Sequence, residues 1–339
     1  MLTSEFDYEL PASAIAQTPI EPRHASRLLD TRDLTDHVFL QLPALLDPGD
    51  LVVVNRSRVR HARLRGRKPD TGGAVEALVL RRLDGDRWRC LIRPARRIRR
   101  GTRLVFGDLD AEVLDDPVDG VVEIRFDDAA GDAEAAFRRI GELPLPPYLG
   151  TPLADPDRYQ TIFAAEPGSA AAPTAGLHFT SELVDRLVSA GIHLAGIELE
   201  VGLATFRPVS TPEIEHHQIH TERFAVEPAT ARAVEACRRR GGRVVAVGTT
   251  VARTLETVGR SDGTIEPGSG ETRLYLRPGR RFQVVDVLVT NFHMPRSSLL
   301  VLLQAFMGPG WREAYRVALE RGYRFLSLGD AMMCTKGPA

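Results

Sequence analysis

Val244-Val-Ala-Val-Gly-Thr-Thr250, followed by Val-Ala-Arg-Thr-Leu-Glu-Thr-Val258, is the stretch on which the reading of the fold turns. Four small apolar residues in succession, three of them β-branched, suit a strand buried on both faces. Gly248 breaks the run. Two hydroxyl residues then open a helix whose apolar positions, Val251, Leu255 and Val258, return every three or four residues. A strand passing through one glycine into a helix is the repeating unit of an α/β layer domain. The junction also leaves N–H groups at a helix N-terminus, a place for a carboxylate or phosphate, although helix capping accounts for the same residues.

The same grammar extends on both sides. Residues 192–201 read as a strand, 229–240 as a helix ended by Gly241-Gly242, and 299–306 and 312–321 as apolar-faced helices. Leu274-Tyr-Leu276 and residues 282–289 are expected to pair as a hairpin across Pro278-Gly279. Upstream, Leu51-Val-Val-Val54 is a buried strand that stops at Asn55-Arg-Ser-Arg58, which puts polar groups at the carboxyl edge where α/β sheets bind ligands. Residues 1–29 read as an arm whose prolines exclude a long helix.

Between these parts the pattern changes. Residues 75–80, 88–92, 103–106, 111–114 and 121–126 are short β runs divided by turns such as Asp84-Gly85 and Asp119-Gly120. Leu143-Pro-Leu-Pro-Pro-Tyr148 closes the segment as a stiff connector. The expected fold is therefore α/β: a larger mixed-sheet α/β layer domain, 1–61 and 150–339, with a small antiparallel β-barrel domain inserted over 62–149.

Bulk properties narrow the function classes. Over 339 residues, 43% hydrophobic and 26% charged residues describe a soluble globular enzyme and exclude wholesale disorder. Cys90, Cys237 and Cys334 are widely spaced and lack a CxxC, so no disulfide framework or zinc site is expected and a reducing cytoplasm fits. The N-terminus has no basic, apolar leader, and nowhere do eighteen apolar residues follow one another, so neither secretion nor a membrane span is expected. GxGxxG after a strand, GxxxxGK[ST], HExxH and GxSxG are all absent. His216-His-Gln-Ile-His220-Thr-Glu222 offers imidazoles without a convincing metal-ligand set. Charge is segregated: positions 56–103 hold seventeen Arg and Lys against four Asp and Glu, and positions 104–134 hold one against eleven. Such bands suit a surface that orients an anionic polymer, or simply a solvated face.

Two further junctions carry candidate chemistry. Gly168-Ser-Ala-Ala-Ala-Pro-Thr-Ala-Gly-Leu-His178 is filled with tiny residues that let backbone approach a ligand, and it presents one imidazole before a helix capped at Thr180 or Ser181. A tightly packed loop with a buried histidine would be written the same way. Thr290-Asn-Phe-His293 follows an apolar strand and precedes a helix, which puts Asn291 and His293 at the same sheet edge.

At these residues the sequence resembles the S-adenosylmethionine:tRNA ribosyltransferase-isomerase family of queuosine synthesis, over nearly the whole chain. Phe6-Asp-Tyr-Glu-Leu-Pro11, Pro144-Leu-Pro-Pro-Tyr148 and Asp157-Arg-Tyr-Gln160 are similar to its opening and middle. Ala172 to Thr180, Ala246-Val-Gly-Thr-Thr250 with Arg253 and Leu255-Glu256, Thr290-Asn-Phe-His293, and Tyr323-Arg-Phe325 with Gly329-Asp-Ala-Met332 are similar to its distinctive motifs.

The resemblance implies transfer and isomerisation of the ribosyl moiety of S-adenosylmethionine onto 7-aminomethyl-7-deazaguanine at a tRNA wobble position. Adenine and methionine leave, and epoxyqueuosine-tRNA forms. It implies His178 and His293 as general acid/base groups and Glu222 and Asp330 as partners of a cationic amine or sulfonium. Thr174, Gly176, Gly248, Thr249, Arg253 and Asn291 would hold ribose, methionine carboxylate or base. Arg58, Arg96, Arg97, Arg99 and Arg100 would hold the anticodon stem-loop. S-adenosylmethionine enters as co-substrate, with no resident cofactor and no metal, in a cytoplasmic monomer. Departures from the family pattern fall at Arg56, Glu200, Ala204 and Arg280. They leave room for a related enzyme acting on a small 7-deazapurine or amine, and a third reading is a non-catalytic tRNA-binding module.

Overall fold

The computed structural model describes residues 1–128, 131–150, 153–165, 167–202 and 208–337, so Ala204 lies outside the described residues. The chain folds as two compact units: Met1–Ser57, Pro147–Glu166 and Ala172–Ala339 form the larger, Arg58–Pro146 with Pro167–Ala171 the smaller. The larger unit begins with β1 (Arg27–Asp30), β2 (Thr35–Val38) and the fully buried β3 (Leu51–Asn55).

The smaller unit follows in the chain. Its strands are β4 (Arg58–Val59), β5 (Arg63–Arg67), β6 (Ala74–Arg82), β7 (Arg87–Arg93), β8 (Arg103–Phe106), β9 (Leu109–Val113) and β10 (Val121–Asp127). Six of them close into an antiparallel barrel in the order β10-β7-β6-β5-β8-β9, while β4 pairs in parallel with β11 (Pro167–Ser169). In β7 and β10 every second residue is buried, the alternation that made both strands legible. Helix α1 (Ala133–Ile140) sends Phe137 into the barrel core, edge-on to Trp88 at 5.1 Å and Phe126 at 5.0 Å. The barrel has one more strand than the five expected. Arg63-Leu-Arg-Gly-Arg67 reads as a charged run, yet Leu64 is buried and Gly66 admits Phe106, since a Cβ there would lie 2.5 Å from the Phe106 ring.

Much of the acidic band is matched within this unit. Glu123 pairs with Arg87 at 2.6 Å, Asp115 with Arg89 at 3.1 Å, Glu112 with Arg125 at 2.5 Å and Asp108 with Arg139 at 2.8 Å. Two of these pairs, those of Arg87 and Arg89, join the basic band to the acidic one, and the other two use Arg125 and Arg139.

The larger unit resumes with α2 (Ser181–Ser189), β12 (His193–Leu199), β13 (Glu222–Val226), α3 (Pro228–Arg239), β14 (Val244–Val247) and α4 (Thr249–Val258). It ends with β15 (Gly268–Thr272), β16 (Val287–Asn291), α5 (Ser298–Met307), α6 (Trp311–Glu320) and β17 (Ala331–Thr335). The nine-stranded mixed sheet runs β15-β13-β12-β3-β14-β16-β17-β1-β2. Strands β12, β3, β14 and β16 are mutually parallel, and β17 is antiparallel to β16. One face carries Val52, Val54, Val245, Val247, Val287, Val289 and Met333, covered by Phe39, Leu42 and the Leu183 and Leu187 side of α2. Among the described residues no helix is long and apolar enough to cross a membrane.

The expected hairpin across Pro278-Gly279 does not form. Glu256 on α4, 4% exposed, accepts the backbone N–H of Gln283 at 2.8 Å and of Val284 and Val285 at 2.9 Å each. These donors are therefore satisfied by a side chain instead of a ladder, and strand pairing begins only at Val287.

Candidate functional site

Because β3, β14 and β16 are parallel, their carboxyl ends fall on one edge, and the antiparallel β17 starts there with Ala331 opposite Asn291. Sequence-distant loops meet at that edge. A short 3-10 helix, Thr174–His178, ends the small-residue run, and Thr180 caps α2 through Leu183 N–H at 3.2 Å. Thr174 Oγ1 donates to Asn291 Oδ1 at 2.8 Å, and Asn291 Nδ2 donates to the Asp330 carbonyl at 3.3 Å. Gly248, at φ 94° between β14 and α4, would place a Cβ 3.6 Å from that of Ala175. Positive φ and this close neighbour are met most readily by glycine. Thr249 follows it in the first turn of α4, nearly buried, while Gly176 packs its backbone on Thr161.

The two expected histidines occupy different environments. His178 is 4% exposed, stacks on Phe39 at 4.7 Å, and aims Nδ1 at the Ala175 carbonyl (3.1 Å) and Nε2 at the Gly329 carbonyl (3.0 Å). A neutral imidazole has one N–H and so satisfies one of these acceptors; an imidazolium would satisfy both. Burial nevertheless pushes its pKa below the usual value, against the two carbonyls, which raise it. His293 has two hydroxyl partners, Thr290 Oγ1 3.1 Å from Nε2 and the Tyr315 hydroxyl 3.3 Å from Nδ1. The Tyr315 oxygen already accepts the His293 backbone N–H at 2.8 Å, so its own proton is free for Nδ1, leaving Nε2 protonated toward Thr290. Burial lowers the His293 pKa to about 3.

The histidines border two different clefts. His178 borders a cleft with Arg23, Ser26, Arg158 and Gly329, whereas His293 borders one with Tyr148, Thr174, Asn291 and Ser297. Ser327 lines both, and it is hydrogen-bonded to the Tyr148 hydroxyl. Asp330, 1% exposed, uses its carboxylate on the chain itself, accepting Arg27 N–H at 2.9 Å and Arg324 N–H at 2.8 Å.

Glu222 and Arg253 lie together in a third cavity, with His217, His220, Tyr275 and Leu302. Arg253 Nη1 donates to Glu222 Oε2, and Glu222 Oε1 accepts Gly202 N–H at 3.1 Å. Leu299, in the first turn of α5, lines this cavity and the one bordered by His293. Among the described residues no three His, Cys, Asp or Glu are grouped to hold a metal ion.

Arg96, Arg97, Arg99 and Arg100 sit on an exposed turn of the barrel unit, and among the described residues none of them is in an ion pair. Arg58 is exposed on β4. The departure at Arg56 is absorbed locally: its guanidinium pairs with Glu198 at 3.4 Å and with Glu227, over Gly196, where a Cβ would meet Arg56 Cδ at 2.4 Å. Glu200 N–H donates to the Arg223 carbonyl at 2.9 Å, and Arg280 is exposed after the Pro278-Gly279 turn. Sequence reading missed Tyr148, Ser327, Tyr315 and Tyr275. Tyr148 ends the proline-rich connector and Ser327 lies between Phe325 and Gly329, so the quoted motifs already bracketed two of the four.

A family model described as queuosine biosynthesis protein matches residues 3–334. An S-adenosylmethionine:tRNA ribosyltransferase-isomerase of Moorella thermoacetica is 52% identical over 340 residues, covering 98% of this chain and 99% of the relative. A protein of the same name from Symbiobacterium thermophilum is 48% identical, with 98% and 99% covered. The crystal structure of S-adenosylmethionine tRNA ribosyltransferase from Thermotoga maritima is similar at a TM-score of 0.55 and 39% identity, covering 97% of this chain and 99% of that one. With the match spanning nearly every residue and relatives at about half identity end to end, the chain belongs to the queuosine biosynthesis protein family.

Proposed function

We propose that the chain transfers and isomerises the ribosyl moiety of S-adenosylmethionine onto 7-aminomethyl-7-deazaguanine at the tRNA wobble position, giving epoxyqueuosine-tRNA with release of adenine and methionine. Relatives named for this reaction support it. The observation that carries it is the meeting at one sheet edge of Thr174, Asn291 and the Gly329-Asp330 backbone with the two imidazoles.

The reaction needs a base at the carbon beside the sulfonium, an acid for departing adenine and an uncharged attacking amine. His293, kept neutral by burial, is the base candidate. His178, set between two carbonyl acceptors, is the candidate to hold and return a proton. Thr174, Asn291, Gly176, Gly248 and Thr249 are assigned to the nucleoside, where small residues and a helix N-terminus let backbone approach it. Arg253 is assigned to the methionine end. Glu222 supplies negative charge toward the cation, and Asp330 acts by fixing the edge backbone. Arg58, Arg96, Arg97, Arg99 and Arg100 are assigned to the anticodon stem-loop, on the inserted barrel of a cytoplasmic monomer.

The test is incubation with S-adenosylmethionine and tRNA carrying the aminomethyl-deazaguanine, following adenine release and nucleoside mass. Adenine release with a mass gain on the nucleoside is expected, and it should fall at least about 100-fold in His178→Ala or His293→Ala. Turnover of a free amine without RNA, or tRNA binding without adenine release, would each replace the proposal.

A further inference from the structure

Arg253 carries an unexplained edge. Its side chain is 9% exposed, Nη1 is given to Glu222, and among the described residues Nε and Nη2 have no hydrogen-bond partner. Buried guanidinium donors without acceptors are costly, and such a group calls for an explanation. The unpartnered pair is the side-on fork of the guanidinium, whose two N–H groups run parallel and match the two oxygens of a carboxylate. Elsewhere this chain uses the same fork for that purpose. Arg243 sets Nε on Asp50 Oδ1 at 3.3 Å and Nη2 on Oδ2 at 2.6 Å, and Arg32 sets Nε on Asp30 Oδ1 at 3.0 Å and Nη2 on Oδ2 at 2.6 Å.

A second donor stands in the same cavity. Among the described residues the buried Tyr275 hydroxyl has no partner, and its ring lies edge-on to His217 at 5.7 Å. The cavity therefore presents two orphaned donors of Arg253 and one of Tyr275 beside the Glu222 carboxylate. A cationic fork next to an anion is complementary to a group that carries both charges on one carbon, an α-amino acid.

We propose that the cavity lined by Arg253, Tyr275, His217, His220 and Glu222 is an α-carboxylate subsite that takes the amino-acid end of the sulfonium substrate. The inference rests on the reaction proposed above, and it adds which end of the substrate lies where: Leu299, shared with the cavity of His293 and Asn291, marks the wall between the amino-acid end and the nucleoside.

The test removes the carboxylate from the ligand as well as the donors from the protein. Equilibrium binding of S-adenosylmethionine and of its decarboxylated analogue is measured on the full chain, wild type, Arg253→Lys and Tyr275→Phe. Wild type should bind the decarboxylated analogue about 10- to 100-fold more weakly, the value of one charged hydrogen-bonded contact. Both variants should weaken S-adenosylmethionine binding while leaving the analogue where it was, so that the discrimination shrinks. In turnover the loss should appear in KM more than in kcat. Equal wild-type affinity for the two ligands, or undiminished discrimination in Tyr275→Phe and Arg253→Lys, overturns the subsite. Calorimetry with L-methionine and L-methioninol separates this from the reaction itself. Methionine bound at least about tenfold more tightly than methioninol, by a chain that releases no adenine, would keep the subsite and remove the reaction.

Discussion

Thr174 and Asn291, 117 residues apart, are joined by a 2.8 Å hydrogen bond from Thr174 Oγ1 to Asn291 Oδ1, and this bond fixes which way the asparagine amide points. With Oδ1 occupied, Nδ2 faces the Asp330 carbonyl, and the small-residue loop is tied to the ends of β16 and β17. Thr174→Val keeps the shape and removes the donor, so Asn291 Oδ1 loses a partner at a cost of about 1–3 kcal/mol. Turnover should fall roughly 10-fold or more. Because the two residues act through one contact, Thr174→Val combined with Asn291→Ala should be little worse than Asn291→Ala alone. Additive losses in a double-mutant cycle would show that the bond does not organise the edge.

His293 makes folding stability fall in acid. Its folded pKa lies near 3 and its unfolded one near 6.5, so between those values the unfolded chain binds the extra proton. Stability is unaffected above pH 6.5, declines as pH drops below it by up to about 1.4 kcal/mol per pH unit for this one group, and levels off near pH 3. Burial pushes His178 the same way. Urea unfolding from pH 7 to 5 should therefore show a shallower loss in His293→Asn than in wild type, whatever the starting stability of the variant. Identical slopes would mean that His293 charges in the folded protein.

Glu256 falls within a motif of the family resemblance, yet its three backbone acceptances give it an architectural task. Glu256→Ala leaves three N–H groups without their acceptor and should destabilise by more than about 3 kcal/mol, while Glu256→Gln, which keeps one carbonyl oxygen, should cost about 1–3 kcal/mol. Kd for S-adenosylmethionine in the folded Gln variant should stay within about threefold of wild type. A larger change would place Glu256 in the binding site.

What the sequence discloses follows from how far apart the partners are. Buried runs such as Leu51-Val-Val-Val54 and alternating ones such as β7 declare their faces locally, and a polar residue at the end of such a run, Asn291 or Thr249, is placed on the edge by the strand itself. Strands β1 and β17 went unread because Arg27-Leu-Leu-Asp30 and Ala331-Met-Met-Cys-Thr335 are short and have no polar alternation; they are strands because of their neighbours in the sheet, including each other in parallel register 303 residues away. The false hairpin has the same origin, since nothing near Gln283 announces a carboxylate on α4. Tyr148 with Ser327 and Tyr275 with Arg253 likewise become site residues only when the folded chain brings them to common cavities. The charge bands mislead in the other direction: Arg87 and Arg89 are matched by Glu123 and Asp115, while among the described residues the arginines of one turn are in no ion pair.

That turn yields the sharpest prediction about RNA. Arg96, Arg97 and Arg100 are exposed, whereas Arg99 folds its Nη1 back onto the carbonyls of Ile98 at 2.7 Å and Arg96 at 3.3 Å. A guanidinium engaged with its own backbone is less available to a phosphate, so the four arginines should not contribute equally. Measured as the slope of log Kd for tRNA against log salt, each of Arg96→Gln, Arg97→Gln and Arg100→Gln should reduce the slope by up to about 0.7, the value for one phosphate contact on a single strand. Arg99→Gln should reduce it less and instead loosen the turn, whose backbone it supports. Unchanged slopes in all four variants would move the tRNA away from this face of the barrel and leave its arginines as a solvated surface.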